Sequence, residues 1–324
     1  MTQTSILVGD VGGTNVRFAL ASVSGAGLSL EAIWKREAAA FGGFSDALEA
    51  FLDDTASRPD GVALGLAGVV EGDSVELLNS GWRVDLGQVR RRLDEVPLVA
   101  VNDFIAMARA APELGDEELE PVRSGRADPA GCAVVGGPGT GFGLALLRRA
   151  GAGWVVIGGE GGHQAYTPQT PLEWELAQAI RRRGVYVSTE LVTAGTGFEL
   201  TRDCLAEVMG RPPVSWSQAE VITQALAGEP FSLALCRLRV AAVMTTLGDA
   251  ALVCNASGGV FLAGGVANRL ATWFDEPEAI ARFEQRGPRT CLLDTVPIRL
   301  IVSEAAPLLG AAHIWLDQSR RGWI

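Results

Sequence analysis

"ILVGDVGGTNVRFAL" occupies Ile6–Leu20. An apolar run enters a turn rich in glycine, and a second apolar run leaves it, so the stretch reads as strand, turn, strand. A turn built from Gly9, Gly12, Gly13, Thr14 and Asn15 carries little side-chain bulk. Its backbone N–H groups can converge on one point, and such a concavity binds phosphate oxygens. Thr14 and Asn15 add side-chain donors. Asp10, at the mouth of the turn, would repel a phosphate that it faced directly. Beside one it makes most sense with Mg²⁺ between them, bound through water because Mg²⁺ dehydrates reluctantly.

A second stretch, "CAVVGGPGTGFGLALL" from Cys132 to Leu147, has the same form. Laid over the first with an offset of 126 residues, Val8 meets Val134, Gly13 meets Gly139, Thr14 meets Thr140, Ala19 meets Ala145 and Leu20 meets Leu146. Matches at both the turn and the strands point to an internal duplication. Gly136 stands where Asp10 falls, so only one copy would bring a metal. Glycine turns between strands also occur as plain hairpins, and that alternative stays open on these residues alone. Neither turn contains G-x-G-x-x-G, so the dinucleotide fingerprint is absent, as is G-x-x-x-x-G-K-[ST].

The 324 residues suit two domains with real cores. A share of 48% apolar and 20% charged residues is an ordinary globular balance. The net charge of −11 argues against a nucleic-acid partner. Lys35 is the one lysine, so any mechanism that needs one has a single candidate. The cysteines, Cys132, Cys204, Cys236, Cys254 and Cys291, are odd in number and contain no C-x-x-C pair. They read as buried free thiols of a reducing compartment. With only His163 and His313 as histidines, structural zinc is not expected. The most apolar segment, Phe231–Cys254, carries Arg237, Arg239 and Asp249, which favours a buried helix over a membrane span. No signal peptide is visible, and a soluble, cytoplasmic protein is expected.

Strand-like and helical segments are mixed along the chain, which points to α/β layers. Residues 45–54 read as a helix with Ser45 as N-cap, and Glu113–Asp128 as a polar connector. "PLEWELAQAIRRRG" reads as a helix stopped at Gly184, and "SQAE" (Ser217–Glu220) as a capping box. "GGVFLAGGV" delivers Gly264 and Gly265 to a turn.

Polar side chains gather at predicted element ends, where functional groups are often presented. "VNDF" places Asn102 and Asp103 just past a strand, "GGEGGH" places Glu160 and His163 on a glycine loop, and Glu190 lies ahead of "AGTG". A sugar needs such a set: amides and carboxylates bind vicinal hydroxyls, and one carboxylate can take a proton. Each also has a plain reading. Asn102 and Asp103 could cap the following helix, Glu160 and His163 could be solvated, and Glu190 could be a first-turn charge.

Taken together, these segments resemble the bacterial glucokinases of the hexokinase-like sugar kinases. "VGDVGGTNVRFAL", "VNDF", "GPGTGFG", "GEGGH", "STELVTAGTG", "GGVFLAGGV" and "PLLGAAH" follow in that family's order and span nearly the whole chain. The resemblance implies an actin-like (ribonuclease H-like) ATPase fold of two α/β domains around a cleft. Residues 1–112 with 305–324 would form the smaller domain and 113–304 the larger. It implies ATP-dependent phosphorylation of glucose at its 6-hydroxyl, with Mg²⁺ as cofactor. Asp103 would be the catalytic base. Asn79, Asn102, Asp103, Glu160, His163 and Glu190 would bind the sugar. Gly9, Asp10, Val11, Gly12, Gly13, Thr14 and Asn15, with Gly139, Thr140 and Gly141, would be the phosphate loops, and Asp10 the Mg²⁺ group. Gly264 and Gly265, with a turn at Leu308–Ala311, would face the adenosine. A homodimer is implied; no nucleic-acid or membrane partner is. A related sugar-kinase branch carries a cysteine-rich zinc motif after its "GH". "GGHQAYTPQTPLEW" has no cysteine, so no zinc is expected. The first hairpin begins at residue 6, and no DNA-binding domain is expected ahead of it. The rivals are a non-catalytic sugar sensor, an actin-like chaperone ATPase, and a kinase acting on mannose or an amino sugar.

Overall fold

The computed structural model describes residues 4–24, 27–70, 72–77, 80–151 and 153–324. The chain divides into two bodies. One comprises Met1–Leu114, Ala150–Gly158 and Ser303–Ile324; the other comprises Gly115–Arg149 and Gly159–Val302.

In the first body the chain runs β1 (Thr4–Val11), β2 (Asn15–Ser24), β3 (Gly27–Glu37), α1 (Phe44–Thr55), β4 (Gly61–Leu66), a small antiparallel pair β5 (Ser74–Glu76) and β6 (Arg83–Asp85), α2 (Leu86–Arg92), β7 (Leu98–Asn102) and α3 (Asp103–Ala110). The main sheet has the order β3-β2-β1-β4-β7. The β1/β2 and β2/β3 pairs are antiparallel, and β1/β4 and β4/β7 are parallel. Successive β1 residues point to opposite faces. Leu7 and Val11 join Val16, Phe18, Phe44 and Phe51 in one core, while Ile6 and Val8 join Ala63, Val99 and Ala106 in another. Burial on both faces explains why β1 and β4 read as continuous apolar runs rather than alternating ones. Helix α1 starts one residue before Ser45. Its N-cap is Gly43, which has no side chain to accept a bond, so Ser45 is a first-turn residue and not the cap.

The second body contains β8 (Leu119–Arg123), β9 (Ala133–Pro138) and most of β10 (Phe142–Ala150). After β11 (Gly153–Gly159), which lies almost wholly in the segment grouped with the first body, come α4 (Pro171–Arg182), α5 (Thr189–Thr193), α6 (Phe198–Val208), α7 (Gln218–Leu226), α8 (Pro230–Cys254), β12 (Gly259–Leu262), α9 (Gly265–Arg269), α10 (Pro277–Glu284) and β13 (Ile298–Ile301). The β9/β10 pair is antiparallel, and β9/β12 and β12/β13 are parallel. The order β10-β9-β12-β13 thus repeats β2-β1-β4-β7 in sequence and direction, as a duplication requires. The strand register departs from the sequence overlay at one point. Arg17 stands opposite Asp10, but Leu144, not Gly143, stands opposite Gly136. The returning strand of the second hairpin is therefore displaced by one residue, and Ala145 and Leu146 are not the spatial counterparts of Ala19 and Leu20.

Residues 113–128 are not simply a connector. They include β8, an edge strand antiparallel to β13. Pro121 and the acids hid it, since an edge strand with a wet side tolerates both. Helix α4 is capped by Thr170 and is followed by Gly184 at φ +75°. The Ser217–Glu220 capping box opens α7. Helix α8 is apolar all round because it is buried on most sides. It is long and apolar enough to cross a membrane, yet 78% of its apolar window is buried within the protein. Of the cysteines, Cys204 and Cys236 are buried, Cys132 and Cys254 half-buried, and Cys291 exposed, so the expectation of uniform burial fails.

Glu229 caps α8: its Oε2 accepts from the Ser232 N–H at 2.7 Å, and its Oε1 from Arg211 at 2.6 Å. Burial pushes its carboxyl upward, but Ser232 and Arg211 outweigh that and hold it at about 2. A depressed carboxyl gives stability that is present above its unfolded value and is lost as pH falls. Glu229→Ala should therefore cost about 0.5–2 kcal/mol at neutral pH. In paired thermal melts the gap should narrow between pH 4.5 and about 2; a gap independent of pH contradicts the charged cap.

Helix α11 (Ala306–Arg320) returns the chain to the first body and packs along α3. Gly310 makes this possible, because a β-carbon there would overlap the Ala106 carbonyl oxygen.

Candidate functional site

In the first body the functional candidates collect at the C-terminal ends of the parallel strands, the edge where open α/β sheets bind ligands. Val11 pairs with Val16, and the Gly12 N–H donates to the Asn15 carbonyl at 3.0 Å, closing a turn of Gly12, Gly13, Thr14 and Asn15. The backbone of that turn is the phosphate candidate. Gly9 and Val11 are buried strand residues; a β-carbon on Gly9 would come within 2.8 Å of Leu64, so its glycine serves packing.

Asp10 is 7% exposed. The hairpin register sets it opposite Arg17, whose Nη1 donates to Asp10 Oδ2 at 2.6 Å. Burial pushes the Asp10 carboxyl above the usual range, and Arg17 opposes this. Arg17 lay within the quoted stretch, yet the sequence reading did not single it out. Pairing the residues across a four-residue turn would have found it.

Among the described residues no three His, Cys, Asp or Glu side chains cluster in a way that could hold a metal. A single carboxylate, already paired with Arg17, beside the candidate phosphate turn fits a Mg²⁺ reached through water that draws its other ligands from a polyphosphate. It does not fit a metal caged by protein.

Asn102 ends β7 and caps α3. Its Oδ1 accepts from the Phe104 N–H at 2.9 Å, and its Nδ2 donates to the Gly68 carbonyl at 3.3 Å. Asp103 opens α3, half-buried, and its Oδ1 shares the same Phe104 N–H at 2.9 Å. Gly65, aligned with Asp10 in the β1/β4 register, lies against this helix start: its β-carbon would sit 3.5 Å from the Asp103 Cα. Asp10 and Asp103 thus share one sheet edge, with a glycine on the strand between them.

In the second body the nucleotide candidates form a tight cluster. Gly137 and Gly264 have φ +154° and +109°, conformations that favour glycine. A β-carbon on Gly264 would meet the Pro138 carbonyl oxygen at 2.5 Å. Gly265 opens α9. The Gly139 and Thr140 carbonyls accept from the Gly195 and Thr196 N–H groups, each at 3.0 Å. Gly195 and Thr196, within the "AGTG" stretch, therefore join the candidate site through backbone bonds that the sequence alone does not show. Glu190, in the first turn of α5, accepts the Phe142 N–H at 2.7 Å and stands 2.7 Å from where a Gly141 β-carbon would be.

The Glu160–His163 loop packs on the same hairpin. β-Carbons on Gly161 and Gly162 would collide with Leu144 and with the Phe142 carbonyl. Those buried glycines leave Glu160 and His163 pointing outward, with side chains 73% and 62% exposed and 3.9 Å apart. The Thr189 N–H donates to the Gln164 carbonyl at 2.9 Å, so this loop is also tied to α5.

Asn79 lies outside the described residues. Leu308–Ala311 is no turn but the buried interior of α11, and its glycine serves helix packing against α3.

A family model described as Glucokinase matches residues 7–318. A glucokinase of Mesorhizobium japonicum is 35% identical over 309 residues, covering 95% of this chain and 90% of that protein. A glucokinase of Saccharophagus degradans is 33% identical, covering 96% and 98%. Among solved structures, a glucokinase from an Antarctic psychrotroph superposes with a TM-score of 0.86 at 31% identity, covering 97% of this chain and 99% of that one. The duplicated sheets accord with the actin-like ATPase fold of these sugar kinases, and the chain belongs to the glucokinase family.

Proposed function

We propose that this glucokinase-family protein transfers the γ-phosphoryl group of ATP to the 6-hydroxyl of glucose, with Asp103 as general base. The observation that carries the reading is the placement of Asp103 on the sheet edge that also bears the glycine turn and Asp10. Asp103 accepts the hydroxyl proton as the O–P bond forms. An ordinary carboxylate suffices, because the hydroxyl becomes more acidic as it bonds to phosphorus. Asn102 fixes the head of α3 and hence the base. The Gly12–Asn15 turn and the Gly139–Gly141 turn bind phosphates through backbone N–H groups. Mg²⁺, brought with the nucleotide and held near Asp10, would neutralise phosphate charge. Most of the rate gain comes from alignment and charge stabilisation rather than from the base. Glu160, His163 and Glu190 bind sugar hydroxyls, and Gly264 and Gly265 line the adenosine side. A cytoplasmic location and a homodimer belong to the same proposal.

The exposed Glu160 side chain gives a test that leaves the fold intact. Glu160→Gln should raise the glucose KM about tenfold or more, in line with a hydrogen bond to a charged group worth about 1.5–3 kcal/mol, while the ATP KM changes little. Steady-state kinetics with each substrate varied in turn measures both. An unchanged glucose KM would remove this loop from the sugar site.

A further inference from the structure

Arg239, midway along α8, is 1% exposed. Among the described residues no carboxylate lies within ion-pair distance of it, and its Nε is buried without a partner. Burial pushes its guanidinium down to about 10, with only Cys236 acting the other way. A buried charge without a counter-ion is a poor device for stability, since an apolar side chain of similar volume often serves at least as well. What Arg239 does hold is specific. Its Nη2 donates to the Thr193 carbonyl at 2.6 Å and reaches the Ala194 carbonyl at 3.4 Å. These are carbonyls at the C-terminal end of α5, where a helix lacks internal donors and favours a cation. Its guanidinium also lies 5.3 Å from the centre of the Phe198 ring, just past the same turn.

The next two residues, Gly195 and Thr196, donate to the Gly139 and Thr140 carbonyls. At the other end of this unit, Glu190 accepts the Phe142 N–H. Helix α5 and its following turn therefore grip the second glycine hairpin on both sides of its tip, and Arg239 grips the unit from within the core. We propose that Arg239 is a positioning residue that sets the 193–196 turn and, through it, the shape of the Gly139–Gly141 phosphate loop. This rests on the assignment of that loop to ATP.

The test uses the full chain with Arg239→Met and Arg239→Ala. In the nucleotide-free protein, hydrogen exchange at the Gly195 and Thr196 amides should quicken at least tenfold in Arg239→Met, with exchange in the first body unchanged. The ATP KM should rise about tenfold, and by more than the glucose Kd measured by calorimetry without nucleotide, because Glu190 lies at the opposite end of α5 from the carbonyls that Arg239 holds. In Arg239→Ala, millimolar guanidinium should restore much of the ATP KM, an effect that wild type lacks. Unchanged exchange at Gly195 and Thr196, or equal losses for ATP and glucose with no guanidinium rescue, would overturn the proposal. If both variants fail to fold, Arg239→Lys, whose ammonium can still donate to the Thr193 carbonyl, is read instead: exchange at Gly195 and Thr196 and the ATP KM should both stay near wild type or both rise, and a change in one without the other overturns the proposal. Absence of ATP-dependent turnover in wild type would instead sink the functional reading, while the exchange result still judges Arg239.

Discussion

Asp103→Ala is expected to lower kcat by about 10²–10⁴-fold, the usual contribution of a general base, in a protein that still folds and still binds glucose. The fold should survive because the Phe104 N–H that Asp103 shares keeps its other acceptor, Asn102 Oδ1 at 2.9 Å. The cap of α3 thus persists without the aspartate. Loss of turnover with retained glucose binding separates a chemical role from a structural one. A coupled spectrophotometric assay gives kcat, and calorimetry gives the glucose affinity. Near-normal kcat would remove Asp103 as the base and leave positioning alone to explain the rate.

The second large effect lies away from the reacting groups. Gly310→Ala places a methyl group on the Ala106 backbone carbonyl, where no rotamer of either residue can relieve the clash. Helices α3 and α11 must separate. Overpacking of this kind typically costs ~1–3 kcal/mol, so the melting temperature should fall by several degrees. Because α3 carries Asp103 at its head, kcat should fall as well, without a matching rise in the ATP KM. Thermal melts and kinetics on one preparation test both. A variant with wild-type melting temperature would show that the two helices do not meet at this glycine.

The sequence disclosed most where one physical signal dominates. The apolar runs that enter the two glycine turns, β1 and β9, are strands buried on both faces, and the paired hairpins revealed the duplicated sheets. Burial all round made α8 conspicuous. Less was legible where side chains carry little signal. Strand β8 is a wet edge with a proline, and helix α1 has a glycine at its cap. Residues 304–316 read as a terminal helix, as α11 is, but the resemblance implied a turn at Leu308–Ala311, because the sequence does not show that Ala106 lies opposite Gly310. At the candidate site, Asp103, Glu160 and Glu190 could be named as chemical groups. Arg17, Gly195, Thr196 and Arg239 could not, because their roles arise from register and from backbone bonds between distant segments.

The most direct measurement is product analysis with purified protein, glucose and Mg-ATP, run beside other hexoses. The account predicts glucose 6-phosphate formed in equal amount with ADP, the highest kcat/KM for glucose, and both products formed about 10²–10⁴-fold more slowly with Asp103→Ala. Glucose binding without phosphate transfer, or a higher kcat/KM for mannose or an amino sugar, would contradict it.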